Sequence, residues 1–451
     1  MRAATRRRPF ENHHASNSLL SYWQAAIRQK DRAGAENVFV RRYNICKYMH
    51  LRMNPEKTTD DNKNRRGRKT ETAAGCYFHI PFCARKCAYC QFLSFTFDEK
   101  TETRYANAVL MELRLFAERL SSAPPVDSIY FGGGTPGLIP AEHIAGIINE
   151  CRRIFHVTAD CEITLETNPG AVSLEKAADY RAAGVNRVSL GAQSFSDAEL
   201  RAVGRIHSAA QIMESLAALA GAGFDNINLD LMLGLPFQNA ESWRATLRAA
   251  AGCPVRHISV YMLELDERSP LAVQTAGGKP FLPGEDLVAD LYLETINYLV
   301  SRGLYQYEIS NFARTGSASR HNMKYWRRIP VYGFGLGSHS FDGRFRYANV
   351  SEIENYCRRV ESGRSPVDRS SEVAEKQALE ETFFLGLRLA AGVDLREVAD
   401  DFKDPAAGFL AGREKALEDF REKGLIDINS SRLRLTEKGM LLSNEVLELF
   451  I

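Results

Sequence analysis

The sequence contains no run of eighteen or more apolar residues, and it has no basic start leading into a short apolar stretch. The first absence excludes a membrane-spanning helix and the second a secretory signal, so a cytoplasmic protein is expected. An excess of one charge is also missing, because 58 Lys and Arg face 56 Asp and Glu. The balance conceals an asymmetry, since residues 1–70 hold 17 of the basic but only 6 of the acidic residues. Acids interleaved there, such as Asp31, Glu36 and Asp60, do not suit an organelle transit peptide, and residues 1–72 read as a basic, unstructured extension. Without an export signal, the nine cysteines belong to a reducing compartment, where thiols serve as metal ligands or small buried hydrophobes rather than disulfides.

Between residues 76 and 263 a β-rich run ending in Gly, Pro or Asn is followed repeatedly by a stretch of helical period. The candidate strands are 76–80, 127–131, 161–166, 186–191, 226–232 and 257–263. Tyr105, Val109, Leu113, Phe116 and Leu120 share one face of a helix between the first two, and 212–223 reads as another helix closed by Gly. Such repetition predicts a parallel sheet with right-handed crossovers. Six units are too few to close an eight-stranded barrel. The expected fold is therefore α/β, an open, partial (β/α)6 TIM-like barrel over residues 73–300, with functional residues at the carboxyl ends of its strands. Residues 301–368 read as an irregular connecting segment dense in Gly, Asn and aromatics. Residues 369–451 read as a mainly helical, winged-helix-like domain.

Cys83, Cys87 and Cys90 follow the first strand in a C-x3-C-x2-C spacing. Three thiolates on one short loop can hold three irons of a 4Fe-4S cubane and leave the fourth iron open. An iron without a protein thiolate can chelate the amino and carboxylate groups of a small molecule, and S-adenosylmethionine is the cofactor that couples such a cluster to radical chemistry. A zinc knot would need a fourth Cys or His at suitable spacing, and His79 lies inside the first strand. Cys46, Cys76, Cys151, Cys161, Cys253 and Cys357 are scattered and read as buried filler. A glycine-rich loop, Gly132-Gly133-Gly134-Thr135-Pro136, follows the second strand and lets the backbone approach a ligand. Glu166, Gln193, Arg205 and Asp230 each lie at or just after a later strand's end. Singly, such residues are usually caps or ion-pair partners, but together they converge on one mouth.

The C-x3-C-x2-C with an aromatic before its last cysteine resembles the radical SAM superfamily. The surrounding strings narrow the resemblance: YFHIPFC at 77–83, GGGTP at 132–136, ETNPG at 166–170, GAQSF at 191–195, GRIH at 204–207, YEISNFAR at 307–314, HNMKYW at 321–326 and GLGSHS at 335–340. Over residues 76–451 these are similar to the coproporphyrinogen III oxidase group. The oxidases of that group carry one more cysteine two residues after the third, where this chain has Phe92, and HNMKYW is similar to the HNxxYW string of the HemW branch of haem chaperones. By motif, the resemblance implies that Cys83, Cys87 and Cys90 hold the cluster. It further implies that Tyr77, Gly133, Gly134, Thr135, Glu166, Gln193, Arg205 and Asp230 contact adenosylmethionine, with Tyr89 close by. It makes His321 a candidate haem ligand, with Tyr325 and Trp326 against the porphyrin, Arg320 or Lys324 at its propionates, and His207 and His339 as lesser candidates. Haem as cargo, haem-free apoproteins as recipients and a place near the inner membrane face follow from it, and a homodimer is compatible with it. The alternative is an oxygen-independent coproporphyrinogen III oxidase, which makes protoporphyrinogen IX. The acids of residues 371–451 argue against nucleic acid.

Overall fold

A computed structural model describes residues 72–266, 269–276 and 282–451. The basic extension lies outside the described residues, apart from Thr72. Six parallel strands form the centre: β1 (Ala74–Ile80), β2 (Pro125–Gly133), β3 (His156–Thr167), β4 (Arg187–Gln193), β5 (Ile227–Leu233) and β6 (His257–Met262). They lie in that order in one sheet, each hydrogen-bonded to the next. All six expected strands are present, which agrees with the partial (β/α)6 barrel. Their near-continuous burial, complete in β4, reflects a sheet covered on both faces.

Crossover helices cover the outside: α1 (Glu99–Ala117), α2 (Ala141–Ile154), α3 (Leu174–Ala183), α4 (Ala209–Gly221), α5 (Ala240–Gly252) and α6 (Glu285–Ser301). Helix α1 starts where the Asp98 side chain accepts from the Thr101 amide, and it buries Tyr105, Val109 and Leu113 at four-residue spacing. Phe78, Phe131 and Phe334 stack across neighbouring strands, with ring centroids 5.2 Å apart in each pair that Phe78 makes.

The segment 301–368 corrects the sequence reading, because it is not irregular. It contains β7 (Tyr305–Glu308), β8 (Asn311–Ala313), the helix α7 (Arg320–Trp326), β9 (Val331–Phe334), β10 (His339–Phe341), β11 (Phe345–Asn349), α8 (Ile353–Glu361) and β12 (Val367–Glu372). The sheet has twelve strands in the order β12-β11-β10-β9-β1-β2-β3-β4-β5-β6-β8-β7. Strands of three to six residues broken by glycines carry little periodic signal, and β9 finds its parallel partner β1 some 250 residues earlier. The expectation failed because that partnership is tertiary.

Helix α9 (Glu375–Gly386) and the residues after it form a second apolar core around Phe383, Leu433 and Phe450, with a three-stranded antiparallel sheet of β13 (Val393–Asp394), β15 (Arg432–Leu435) and β14 (Ile426–Ile428). Helices with a small sheet match the winged-helix-like expectation. No described helix is long and apolar enough to cross a membrane.

Candidate functional site

The chain leaves β1 through Pro81 and places Cys83, Cys87 and Cys90, all free thiols, on the loop that follows. The loop is fixed at several points. The Ala88 amide donates to the Val203 carbonyl at 3.1 Å, the Leu271 amide to the Ala88 carbonyl at 3.0 Å, and His79 Nε2 bonds the Leu93 carbonyl at 2.8 Å. Tyr89 packs into a small apolar cluster with Val203, Met232, Leu235 and Leu271, and burial pushes its phenol upward. The glycine loop is stitched to the same segment: the Gly134 amide donates to Ile80 O at 2.8 Å and the Thr135 amide to Phe82 O at 2.8 Å. A Cβ at Gly134 would stand 2.7 Å from the Phe82 carbonyl oxygen, and Gly133 has φ +112°, so neither position accepts a side chain without movement.

Two side chains reach the sulfurs. The Thr135 hydroxyl lies 3.6 Å from Cys83 Sγ, and Arg205 Nη1 lies 3.6 Å from Cys87 Sγ. Both are donors suited to thiolates. Among the described residues no three His, Cys, Asp or Glu side chains converge on a point that would hold one metal ion. A zinc knot requires that convergence, whereas each thiolate of a cubane takes a different iron. The three cysteines with their donors therefore fit a 4Fe-4S cluster.

Around the cysteines, Arg205 Nη2 donates to Asn168 Oδ1 at 2.6 Å and to the Gly191 carbonyl, while its buried Nε has no partner. Asn168 in turn donates to Thr135 Oγ1 at 2.8 Å. Gln193 ends β4 in the left-handed region at φ 67°, with its amide beside Gly191. Glu166 accepts from the Tyr130 hydroxyl at 2.6 Å and from the Gly133 amide at 3.2 Å, and burial pushes its carboxyl up to about 7. Tyr77 stacks on Tyr130 with centroids 6.2 Å apart. Asp230 departs from expectation, because it lies within β5 rather than at its end. Ser189 and Asn228 donate to its two oxygens at 2.9 and 2.8 Å, and burial raises its carboxyl. Asn168 was not singled out from the sequence. Its signal lay in the ETNPG string directly after Glu166.

The structure places HNMKYW at the other end of the strands from this mouth, with the His321 ring 6.3 Å from that of Tyr77. Helix α7 packs at the amino end of the strands, where a Cβ on Gly75 would meet Lys324 Cδ at 2.9 Å and His321 Nδ1 at 3.1 Å. His321 is 1% exposed, and both ring nitrogens are engaged, Nδ1 with Ser128 Oγ and Nε2 with the Tyr325 hydroxyl, each at 3.1 Å. Its ring stacks on Tyr130 at 5.0 Å, and burial together with Lys324 and Arg187 holds its pKa down at about 3. In this arrangement the side chains expected to serve haem are engaged within the fold. His321 offers no open nitrogen, Tyr325 is its hydrogen-bond partner, and Trp326 packs against the C-terminal core under the Arg388 guanidinium at 4.4 Å. Lys324 pairs with Asp127 at 2.5 Å and Arg320 with Asp160 at 2.9 Å. The outer face of α7 lines a polar cavity of about 610 Å³ whose carboxylates include those two. His207 is buried against the Ala192 carbonyl, and His339 lies in β10.

Comparison with known proteins agrees with this geometry. Residues 77–250 match the radical SAM superfamily, and residues 373–442 match the HemN C-terminal domain. The chain is 34% identical over 376 residues to the heme chaperone HemW of Bacillus subtilis, covering 83% of this chain and 98% of that protein. It is 32% identical to the mitochondrial radical S-adenosyl methionine domain-containing protein 1 of Bos taurus, covering 83% and 86%. The solved structure of coproporphyrinogen III oxidase (HemN) from Escherichia coli superposes with a TM-score of 0.74 at 25% identity, covering 84% of this chain and 90% of that one.

Proposed function

The chain belongs to the HemW family of the radical SAM superfamily, and from that premise we propose that it is a haem chaperone, which holds haem and passes it to haem-free apoproteins. The observation that carries this reading over the oxidase is the end of the cysteine loop. Phe92 stands where the oxidases have a further cysteine, and its side chain is 66% exposed. The loop then closes at Leu93 on His79.

When bound, the cluster and adenosylmethionine supply one-electron chemistry at an iron that no protein thiolate saturates. This chain's residues hold and screen that site. Cys83, Cys87 and Cys90 ligate, while Thr135 and Arg205 donate to the sulfurs. The Gly133 and Gly134 backbone presents its polar groups to the cofactor's methionine end, with Gln193, Glu166 and Asp230 available to its hydroxyls and Arg205 to its carboxylate. Tyr77 and Tyr89 wall the pocket. His321, Tyr325 and Trp326 act through the fold, tying the barrel's amino end to the C-terminal domain, rather than as haem contacts. Haem-accepting apoproteins, an association with the inner face of a membrane and a cytoplasmic location complete the proposal.

Anaerobic incubation of the cluster-reconstituted protein with coproporphyrinogen III, adenosylmethionine and a reductant, read by mass spectrometry, tests it. Unchanged coproporphyrinogen together with a Soret band on haem addition is expected. Protoporphyrinogen IX as product would establish the oxidase instead.

A further inference from the structure

The barrel lumen contains a cation that the site described so far does not use. Tyr77, Tyr130, Thr164 and Arg187 are register neighbours across β1 to β4, so their side chains share one face of the sheet. That face is the lumen, because Ser189, two residues beyond Arg187 on β4, donates to Asp230 there. Arg187 is 1% exposed, and among the described residues its guanidinium donates no hydrogen bond. Its Nε and the neighbouring Thr164 Oγ1 are both buried without a partner.

The groups whose fields reach Arg187 are committed elsewhere. These are Glu162, Tyr130, Tyr307 and Asp230. Glu162 accepts from the His321 and Arg320 amides, each at 3.2 Å, and Asp230 from Ser189 and Asn228. The Tyr130 hydroxyl donates to Glu166, and the Tyr307 hydroxyl bonds His257 Nε2 at 2.8 Å and accepts from the Ser319 amide. A guanidinium presents its donors in a planar fork, and a buried donor such as the Arg187 Nε–H is costly to leave without an acceptor. A carboxylate matches the fork with two parallel hydrogen bonds.

We propose that Arg187 is the anchor of a carboxylate-binding subsite in the barrel lumen, which takes a propionate arm of the tetrapyrrole cargo. The identity of the ligand rests on the haem reading, whereas the donor set itself does not. Thr164 adds a hydroxyl on the adjacent strand, and the field of the same guanidinium extends to Glu166 at the mouth. The subsite thus lies beside Glu166 and Asp230, two of the groups proposed for adenosylmethionine.

The test is an anaerobic Soret titration of the full-length, cluster-reconstituted chain with haem and with haem dimethyl ester, for wild type, Arg187→Gln and Arg187→Lys. Wild type should bind haem roughly tenfold or more tightly than the ester, the gain of a charge-assisted buried pair. Arg187→Gln should bind haem only as tightly as the ester while keeping its ester affinity, and Arg187→Lys should recover part of the preference. Equal binding of haem and ester by wild type would overturn the subsite even if the variants failed to fold, and so would a haem preference retained in Arg187→Gln. Failure of wild type to bind either ligand would overturn the chaperone reading and the subsite together, which distinguishes that failure from loss of the ester discrimination alone.

Discussion

Replacement of His321 by Ala separates a core histidine from a haem ligand. The substitution strands Ser128 Oγ, which is fully buried and lies 3.1 Å from the imidazole, and removes the bond to the Tyr325 hydroxyl. A buried polar group left without its partner costs about 1–3 kcal/mol. Loss of the ring that stacks on Tyr130 leaves a void worth about another 1 kcal/mol. The expected destabilisation is about 2–4 kcal/mol, large for a single substitution. Urea unfolding followed by tryptophan fluorescence measures it, and a Soret titration under conditions where both proteins are folded measures haem. Haem affinity should change by less than about threefold, well within 1 kcal/mol. Unchanged stability with loss of the Soret band would refute the reasoning and return His321 to the coordination sphere.

Gly134→Ala should push the glycine loop off the cysteine loop, since its Cβ would stand 2.7 Å from the Phe82 carbonyl oxygen; adenosylmethionine binding followed by calorimetry should weaken roughly tenfold or more, and unchanged binding would contradict the stitched arrangement. Glu112 accepts from Tyr356 at 2.5 Å, Asn349 at 2.6 Å and the Gly335 amide at 2.7 Å, and burial pushes its carboxyl up to about 7. Glu112→Gln should therefore lose about 1–3 kcal/mol, because its amide nitrogen faces the Asn349 amide donor to donor, and Glu112→Leu should fall further, by about 3 kcal/mol or more, because three donors lose their acceptor. Acid should destabilise the chain through His257 and His321, whose folded pKa values burial holds down, the latter at about 3. Unfolding lets each take up a proton below about 6.5, so stability falls with pH at about 1.4 kcal/mol per unit per histidine. Between about pH 6.5 and 4.5, Glu112 and Glu166 oppose this, since carboxyls raised to about 7 contribute stability that is lost as pH rises. The net fall should steepen below about pH 4.5, and a level profile down to about pH 3.5 would contradict the buried neutral histidines.

The six central strands were legible because each is a β-rich run closed by a turn residue, and buried parallel strands read as continuous apolar stretches. The cysteine loop and the glycine loop were legible for a different reason, since their chemistry lies in adjacent residues. Asp230 was misplaced by three residues because an acidic residue in an apolar strand reads as its end, while in the fold Ser189 and Asn228 satisfy it inside the lumen. HNMKYW was legible as a string through its likeness to HNxxYW, but the partners that occupy His321 were not, since they come from Ser128, almost two hundred residues earlier, and from Tyr325 one helical turn on. Arg187 carried a visible signal, a lone cation before VSLG, and only the cross-strand register shows that it faces the lumen.

The central claim is that the chain carries haem and gives it up. Reconstituted protein loaded with haem, freed of excess by anaerobic gel filtration and mixed with haem-free apomyoglobin, tests this through the Soret band. The account predicts that haem stays with the chain through the column and then moves to the acceptor, shifting the band to that of the filled globin. Haem lost on the column, or haem held without transfer, would contradict it.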